Sequence, residues 1–162
     1  MKKFTIVFGV GLLCASLQAV AAKADVRIYP TPKHIEMTGG FSNARIGEAK
    51  VRKVKGLGDE AYRIVVDKSS IIVSASTRTG AFYAKETLKQ LAGKRGLPCC
   101  IVEDSPDIPL RGVVEGFYGR PWGTDGRYDL IQFMGKYKMN CFIYGPKDDP
   151  YHLSRWKEPY PE

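Results

Sequence analysis

The order of strand, helix and strand in the last third of the chain constrains its fold more than any other feature. A short apolar run begins at Gly112, and a second strand-like run extends from Asn140 to Tyr144. Between them, apolar residues recur at the spacing of one helix face: Leu130, Phe133, Met134 and Tyr137. This pattern predicts a β-α-β unit whose strands are parallel, with a right-handed crossover. Both faces of such a sheet must be covered, so we expect a fold that is truncated at residue 162.

A different order precedes this unit. The β-prone runs Glu60–Val66 and Ile71–Ser76 are joined by a polar segment and predict a hairpin. A helix is predicted next, from about Thr79 to Ala92, and its apolar residues share one face: Ala81, Ala84, Leu88, Leu91 and Ala92. Short strands are predicted at Val26–Tyr29 and Cys99–Val102. Strand, strand, helix and strand in this order indicate a small α/β layer domain.

The polar segment Glu103–Asp107 contains a proline and is the predicted boundary between the two parts. We therefore predict a small α/β domain over residues 25–105 and the start of a second domain over residues 111–162.

Gly39 and Gly40 should form a turn. Thr124 or Asp125 should cap the helix of the second part.

The first 22 residues have the pattern of a signal peptide. Lys2 and Lys3 precede a mostly apolar stretch from Phe4 to Val20, and alanines follow it at positions suited to cleavage. A membrane anchor is the alternative, but the stretch is barely long enough to span a bilayer. We expect an exported protein, periplasmic or secreted, without a membrane segment after cleavage.

The excess of basic residues does not indicate a nucleic-acid partner. The formal net charge is +8, and much of it lies in a basic run that contains Arg45, Lys50, Arg52, Lys53 and Lys55. Such a run can bind phosphates, but no aromatic residues or binding motif accompany it. A solvated face is the preferred interpretation, and no nucleic acid is expected.

Cysteine usage indicates neither a disulfide framework nor a metal site. After signal removal Cys99, Cys100 and Cys141 remain, an odd number that includes two neighbours. No cysteine and histidine spacing is typical of zinc. Buried free thiols are predicted, with no metal and no cofactor.

Two segments resemble one known family. They are Arg111–Trp122, with the sequence RGVVEGFYGRPW, and Lys138–His152, which contains YGPKDDPYH. Both resemble the opening of the catalytic barrel of glycoside hydrolase family 84, which contains O-GlcNAcases and bacterial β-N-acetylglucosaminidases. The resemblance implies that residues 111–162 are the first β-α-β of a TIM (β/α)8 barrel. The sequence Tyr29–Pro32 and the segment around Gly80–Ala84 resemble the small domain that precedes this barrel, which family 20 hexosaminidases share.

Gly116 and Lys147 are the predicted substrate-binding residues. They follow the two predicted strands, and TIM-barrel active sites lie at the C-terminal strand ends. Glycine lets a ligand approach the backbone, and an ammonium donates to hydroxyl oxygens. A glycine required only by the turn and a solvated lysine are the alternatives. The resemblance favours the functional roles, because relatives hold the N-acetylglucosamine ring with these two positions.

Asp148 and Asp149 are adjacent acids, but we do not predict that they are catalytic. Relatives use an aspartate pair, one orienting the substrate's acetamido group as nucleophile and one acting as general acid and base, an exception to the usual scheme. The resemblance places that pair after the fourth strand, beyond about residue 200 for a barrel of typical length. We therefore predict no catalytic residue in this chain, and predict that Asp148 and Asp149 hydrogen-bond loop amides.

The resemblance implies the N-terminal part of a retaining β-N-acetylglucosaminidase that hydrolyses terminal N-acetylglucosaminides of glycans or glycoproteins. The 162 residues alone should be inactive. A non-catalytic remnant or a weak carbohydrate-binding fragment is the alternative. A family 20 hexosaminidase is disfavoured, because the first strand ends in Glu-Gly-Phe-Tyr-Gly rather than in an acidic Arg-His-type motif.

The signal sequence generates a first prediction. The charged start, the apolar stretch and the small residues after it should give a mature protein that begins between Ala22 and Asp25. N-terminal sequencing of protein from the extracytoplasmic fraction measures this. Recovery of intact Met1 from soluble cytosol would contradict it.

Overall fold

The computed structural model describes residues 26–162, so the predicted signal sequence lies outside the described residues. The described part contains seven strands, two α-helices and short 3-10 turns at Ile46–Glu48 and Pro150–His152. The strands are β1 (His34–Ser42), β2 (Lys50–Lys53), β3 (Tyr62–Val66), β4 (Ile71–Ala75), β5 (Leu97–Asp104), β6 (Gly112–Phe117) and β7 (Cys141–Pro146). The helices are α1 (Arg78–Leu91) and α2 (Thr124–Lys136). No helix within residues 26–162 is long and apolar enough to cross a bilayer.

Residues 26–104 form what we call the five-stranded unit. Its sheet has the order β1-β5-β3-β4-β2, in which β2 lies parallel to β4 and the other pairs are antiparallel. The predicted hairpin is confirmed as β3 and β4, which are paired from Tyr62 to Val66. Alternate residues of β3, β4 and β5 are buried together with residues of α1 in one core. The expectation of a helix on a sheet is confirmed.

A capping residue and a close packing contact define the start of helix α1. Thr77 caps it, because its Oγ1 accepts a hydrogen bond from the Gly80 amide at 3.1 Å. A Cβ built at Gly80 would lie 2.5 Å from the Ala61 carbonyl oxygen, so glycine permits the close approach to the sheet. The predicted apolar face is confirmed at Ala84 and Leu88, both fully buried. Ala92 lies past the helix end and is exposed.

Two local predictions in this unit are wrong, and strands β1 and β2 were not predicted. Residues 26–29 do not form a strand, although Ile28 is buried in the core. Gly39 and Gly40 do not form the predicted turn: with φ values of 91° and 78° they form an irregularity inside β1, between Met37 and Phe41. Pairing with β5 resumes beyond the glycines and carries the strand through. Strand β2 was not predicted because its basic residues do not alternate with apolar ones.

The basic run itself lies at the edge of the sheet. All four residues of β2 are exposed, which agrees with the predicted solvated face. Lysine and arginine on an edge strand oppose pairing with other chains. The three cysteines of the described residues are free, with Cys99 and Cys100 buried and Cys141 half-buried.

Residues 112–146 form the β-α-β unit. Strands β6 and β7 are parallel and paired from Gly112 opposite Cys141 to Phe117 opposite Pro146, as predicted. A Cβ built at Gly112 would lie 1.6 Å from the Cys141 carbonyl oxygen, so no other residue fits there. The capping prediction is wrong: α2 has Gly123 at its N-cap and no side-chain cap, while Thr124 and Asp125 lie inside the helix.

The β-α-β unit has little core of its own. Of the predicted apolar stripe of α2, Met134 is buried, while Phe133 is 48% exposed. Val114 of β6 is 61% exposed and Ile143 of β7 is 52% exposed. Apolar surface of β6 and β7 is therefore open to solvent in the described residues.

One connection between the two units runs through a carboxylate of the five-stranded unit. Glu60 precedes β3 and accepts hydrogen bonds from Arg111 Nη2 at 2.6 Å and from Asn140 Nδ2 at 2.9 Å. Arg111 and Asn140 immediately precede β6 and β7, and the Asn140 side-chain oxygen accepts from the Arg111 amide at 3.0 Å. Glu60 thus contacts the start of both parallel strands.

A second ion pair crosses the same junction. Lys138 is 6% exposed and its Nζ lies 2.9 Å from an Asp104 carboxylate oxygen. The same oxygen accepts from the Tyr62 hydroxyl at 2.8 Å, and that hydroxyl lies 2.6 Å from Thr87 Oγ1. Burial raises the pKa of Tyr62, so its hydroxyl remains a donor at neutral pH.

We predict that Glu60→Ala lowers the free energy of unfolding by about 2 to 4 kcal/mol, because it leaves the largely buried Arg111 guanidinium unpaired. Urea denaturation of the full chain measures this. Glu103→Ala is the matched control, since its ion pair with Arg63 is about half-exposed and should contribute about 0 to 1 kcal/mol. Equal losses from both variants would contradict the prediction.

Candidate functional site

The ends of β6 and β7 bring the two predicted site residues together. Gly116 of β6 lies opposite Gly145 of β7, and Lys147 follows directly after β7. The Lys147 amide donates to the Phe117 carbonyl at 2.7 Å, which fixes its backbone beside β6. A Cβ built at Gly116 would lie 3.1 Å from Lys147 Cε, so the lysine side chain passes over the glycine.

The pair offers hydrogen-bonding groups of both kinds on an exposed surface. The Lys147 ammonium has three donors, and its nitrogen lies 5.6 Å from the centroid of the Tyr118 ring. Within residues 26–162, no carboxylate lies at ion-pair distance from it. Gly116 exposes its backbone because it has no side chain. A ligand with several hydroxyl groups can therefore meet a cationic donor and a backbone group within a few ångströms.

Asp148 and Asp149 shape the loop that carries Lys147. An Asp148 carboxylate oxygen accepts from the Gly119 amide at 3.0 Å, which ties the loop after β7 to the loop after β6. Asp149 accepts from the Tyr151 amide at 2.8 Å and caps a 3-10 turn. These are the loop amide bonds that the sequence predicted.

The second oxygen of Asp149 also has a protein partner. It accepts from the Tyr160 hydroxyl at 2.9 Å, and this hydrogen bond raises the pKa of Tyr160. The Tyr160 ring stacks on Tyr151 with centroids 4.6 Å apart. The loop after β7 is thus held by its own acids and aromatic rings.

Glu115 was not identified from the sequence. It precedes Gly116 in β6, yet it is only 2% exposed. One carboxylate oxygen accepts from the Trp122 amide at 2.7 Å and from Arg127 Nη2 at 3.2 Å, and the other accepts from Arg127 Nε at 2.9 Å. A charged residue inside an apolar strand is a signal that could have found it.

The contacts of Glu115 affect its titration. The hydrogen bonds from Arg127 first, and then that from the Trp122 amide, lower the pKa of Glu115 below its ordinary value, so it is ionised at neutral pH. Because the folded-state pKa is the lower one, the stability that these contacts contribute is present above the ordinary carboxyl pKa. It is lost as the pH falls through the lowered value.

A cavity of about 210 Å³ lies at the junction of the two units. Its charged groups are paired with one another: Arg111 with Glu60, Lys138 with Asp104, and Lys33 with Asp107. Among residues 26–162, no group of three or more histidine, cysteine or acidic side chains could hold a metal ion. The ends of β6 and β7 are therefore the better candidate site.

Comparisons with known proteins match both parts of the chain to hexosaminidases. Residues 111–162 match the sequence family described as beta-N-acetylglucosaminidase, and residues 42–105 match domain 2 of glycosyl hydrolase family 20. The solved structure of CpGH84B superposes with a TM-score of 0.67 at 30% identity, over 85% of this chain and 33% of that one. This chain is similar to the N-terminal portion of a family 84-like hexosaminidase.

Individual relatives agree with this class. The rat protein O-GlcNAcase is 49% identical over 51 residues, which is 32% of this chain and 6% of the relative. The beta-N-acetylhexosaminidase of Cellulomonas fimi is 26% identical over 145 residues, which is 86% of this chain and 28% of the relative. The chain therefore spans less than a third of either relative, and it resembles a β-N-acetylglucosaminidase-like fragment.

Proposed function

We propose that this chain is the N-terminal portion of an exported, retaining β-N-acetylglucosaminidase and that it supplies part of the sugar-binding site. The observation that carries the proposal is the contact between Gly116 and Lys147. A Cβ built at Gly116 near the end of β6 would lie 3.1 Å from Cε of Lys147, which follows β7, so the two residues lie side by side. They lie inside the segment that matches the beta-N-acetylglucosaminidase family.

In this proposal β6, α2 and β7 are the first β-α-β of a TIM barrel. The C-terminal ends of β6 and β7 then lie at the face where such barrels have their active sites. The Lys147 ammonium would donate to hydroxyl oxygens of a terminal N-acetylglucosamine, and the Gly116 carbonyl would accept from a hydroxyl. The substrates would be glycans or glycoproteins that carry this sugar.

The proposed reaction is substrate-assisted hydrolysis with retention at the anomeric carbon. It needs an acid at the leaving oxygen and a group that orients the acetamide on the opposite side of the sugar. Asp148 and Asp149 are hydrogen-bonded within the loops, so we assign these roles to an aspartate pair after the fourth barrel strand. In this proposal that strand would come from sequence after residue 162.

We predict that Lys147→Ala weakens the proposed enzyme. In a protein that extends through all eight barrel strands, loss of the charge-assisted hydrogen bond should cost about 1 to 3 kcal/mol. The value of kcat/KM for an aryl N-acetylglucosaminide should fall about 5- to 150-fold. Lys157→Ala, at an exposed lysine beside Trp156, is the matched control and should leave kcat/KM unchanged. An unchanged kcat/KM for Lys147→Ala would remove Lys147 from the site.

A separate prediction concerns the 162-residue chain by itself. It should not turn over an aryl N-acetylglucosaminide, because the acid and the acetamide-orienting group are assigned to residues outside it. Turnover by the purified chain measures this. Activity that survives purification and disappears in the Asp148→Asn, Asp149→Asn double variant would show that these two residues are catalytic.

A further inference from the structure

We propose that Glu115 is a positioning residue for the site formed by Gly116 and Lys147. Its carboxylate holds the loop after β6 in the conformation that places those two residues side by side. The sugar-binding part of this inference rests on the proposed function. The positioning itself concerns the geometry of the chain and can be measured without a sugar.

Glu115 and Gly116 point to opposite faces of the β6–β7 sheet because they are neighbours in a strand. Gly116 lies on the face over which the Lys147 side chain passes. Glu115 contacts Arg127 of α2 and is therefore on the helix-covered face. Glu115 therefore lies on the face of the sheet opposite the site, and we do not expect it to contact a ligand over Gly116.

The hydrogen bonds of Glu115 close the loop that follows β6. We define this loop as residues 118–123. Its start is fixed by the pairing of β6, and its end is fixed where the Trp122 amide donates to Glu115 at 2.7 Å. The same carboxylate binds Arg127, in the first turn of α2, through both Nε and Nη2. A forked pair of this kind defines orientation as well as distance.

The closed loop in turn contacts the segment that carries Lys147. The Gly119 amide donates to Asp148 at 3.0 Å, and the Tyr118 ring centroid lies 5.6 Å from the Lys147 nitrogen. Displacement of the loop would remove both contacts. Glu115 is therefore linked to Lys147 through one loop and two hydrogen bonds.

Glu115 also supports β7 through the helix. The Arg127 guanidinium lies 4.8 Å from the centroid of the Tyr144 ring, and Tyr144 is directly opposite Glu115 in the strand register. The carboxylate is thus connected to β6, the loop, α2 and β7. A buried carboxylate has a desolvation cost that an apolar side chain would avoid. An apolar side chain at this position could not make the polar contacts that link these four segments.

The test compares Glu115→Gln with wild type in the full chain by amide hydrogen exchange in NMR spectra. Glutamine keeps the size of the side chain but cannot accept both Arg127 donors as a carboxylate does. We expect Trp122, Gly119 and Lys147 amides to exchange about tenfold faster or more, while the amides of β3 and β4 remain unchanged. Glu158→Gln, which breaks an exposed pair with Arg155, is the matched control and should change none of the three site amides.

Titration with N-acetylglucosamine separates this inference from the proposed function. If wild type binds the sugar with shifts at Gly116 and Lys147, the folded Glu115→Gln protein should bind it about fivefold more weakly or worse. An unchanged affinity with unchanged exchange at Gly119 and Lys147 would overturn the positioning role and leave the proposed function intact. If wild type does not bind the sugar, the proposed binding by this chain fails, and the exchange rates alone decide the role of Glu115.

A second variant covers the case in which Glu115→Gln does not fold. Arg127 is the more exposed partner of the pair, with its side chain 31% exposed. Arg127→Lys keeps the positive charge but removes the two-donor contact that the guanidinium makes with the Glu115 carboxylate. Faster exchange at Trp122 and Gly119 in this variant supports the inference. A folded Arg127→Lys protein with wild-type exchange at both amides overturns it.

Discussion

The β-α-β unit depends on the carboxylate of Glu60, which belongs to the other unit. Its two oxygens bind Arg111 and Asn140, the residues just before the two parallel strands. A group outside their sheet therefore adds to the direct hydrogen bonds between Arg111 and Asn140 that hold the starts of β6 and β7 together. A slip of one residue would turn every side chain of a strand to the opposite face. The meeting of Gly116 and Lys147 at the far strand ends follows from this register.

Three buried or half-buried ion pairs have the same energetic role in this structure. Glu60 with Arg111 and Asp104 with Lys138 lie at the junction, and Glu115 with Arg127 lies behind the candidate site. At least one charge of each pair is largely removed from water, so each pair contributes little net stability but breaking it is costly. The open apolar faces at Val114 and Ile143 supply little burial to the β-α-β unit. Its geometry is therefore determined by polar contacts more than by a core.

The candidate site could be predicted from the sequence only in part. Gly116 and Lys147 were identified from the strand ends and from the family resemblance, and the structure places them in contact. Their binding role stays a prediction. Glu115 and Arg127 were missed because their ion pair depends on the angle between β6 and α2, which the spacing of residues in the sequence does not specify. Strands β1 and β2 were missed because pairing with neighbouring strands overrode weak local patterns.

By itself the sequence determined the hairpin of β3 and β4, the helix α1 and the parallel β-α-β order, because periodicity and turn residues act over a few positions. It also determined that the two parts resemble hexosaminidases. Tertiary structure alone decided the register of β6 and β7, the burial of Glu115 and Lys138, and the junction through Glu60. These depend on contacts between residues that are distant in the chain, such as Glu60 and Asn140, 80 positions apart. The sequence does not distinguish a solvated charged side chain from a buried one, because its burial depends on the residues around it in the folded protein.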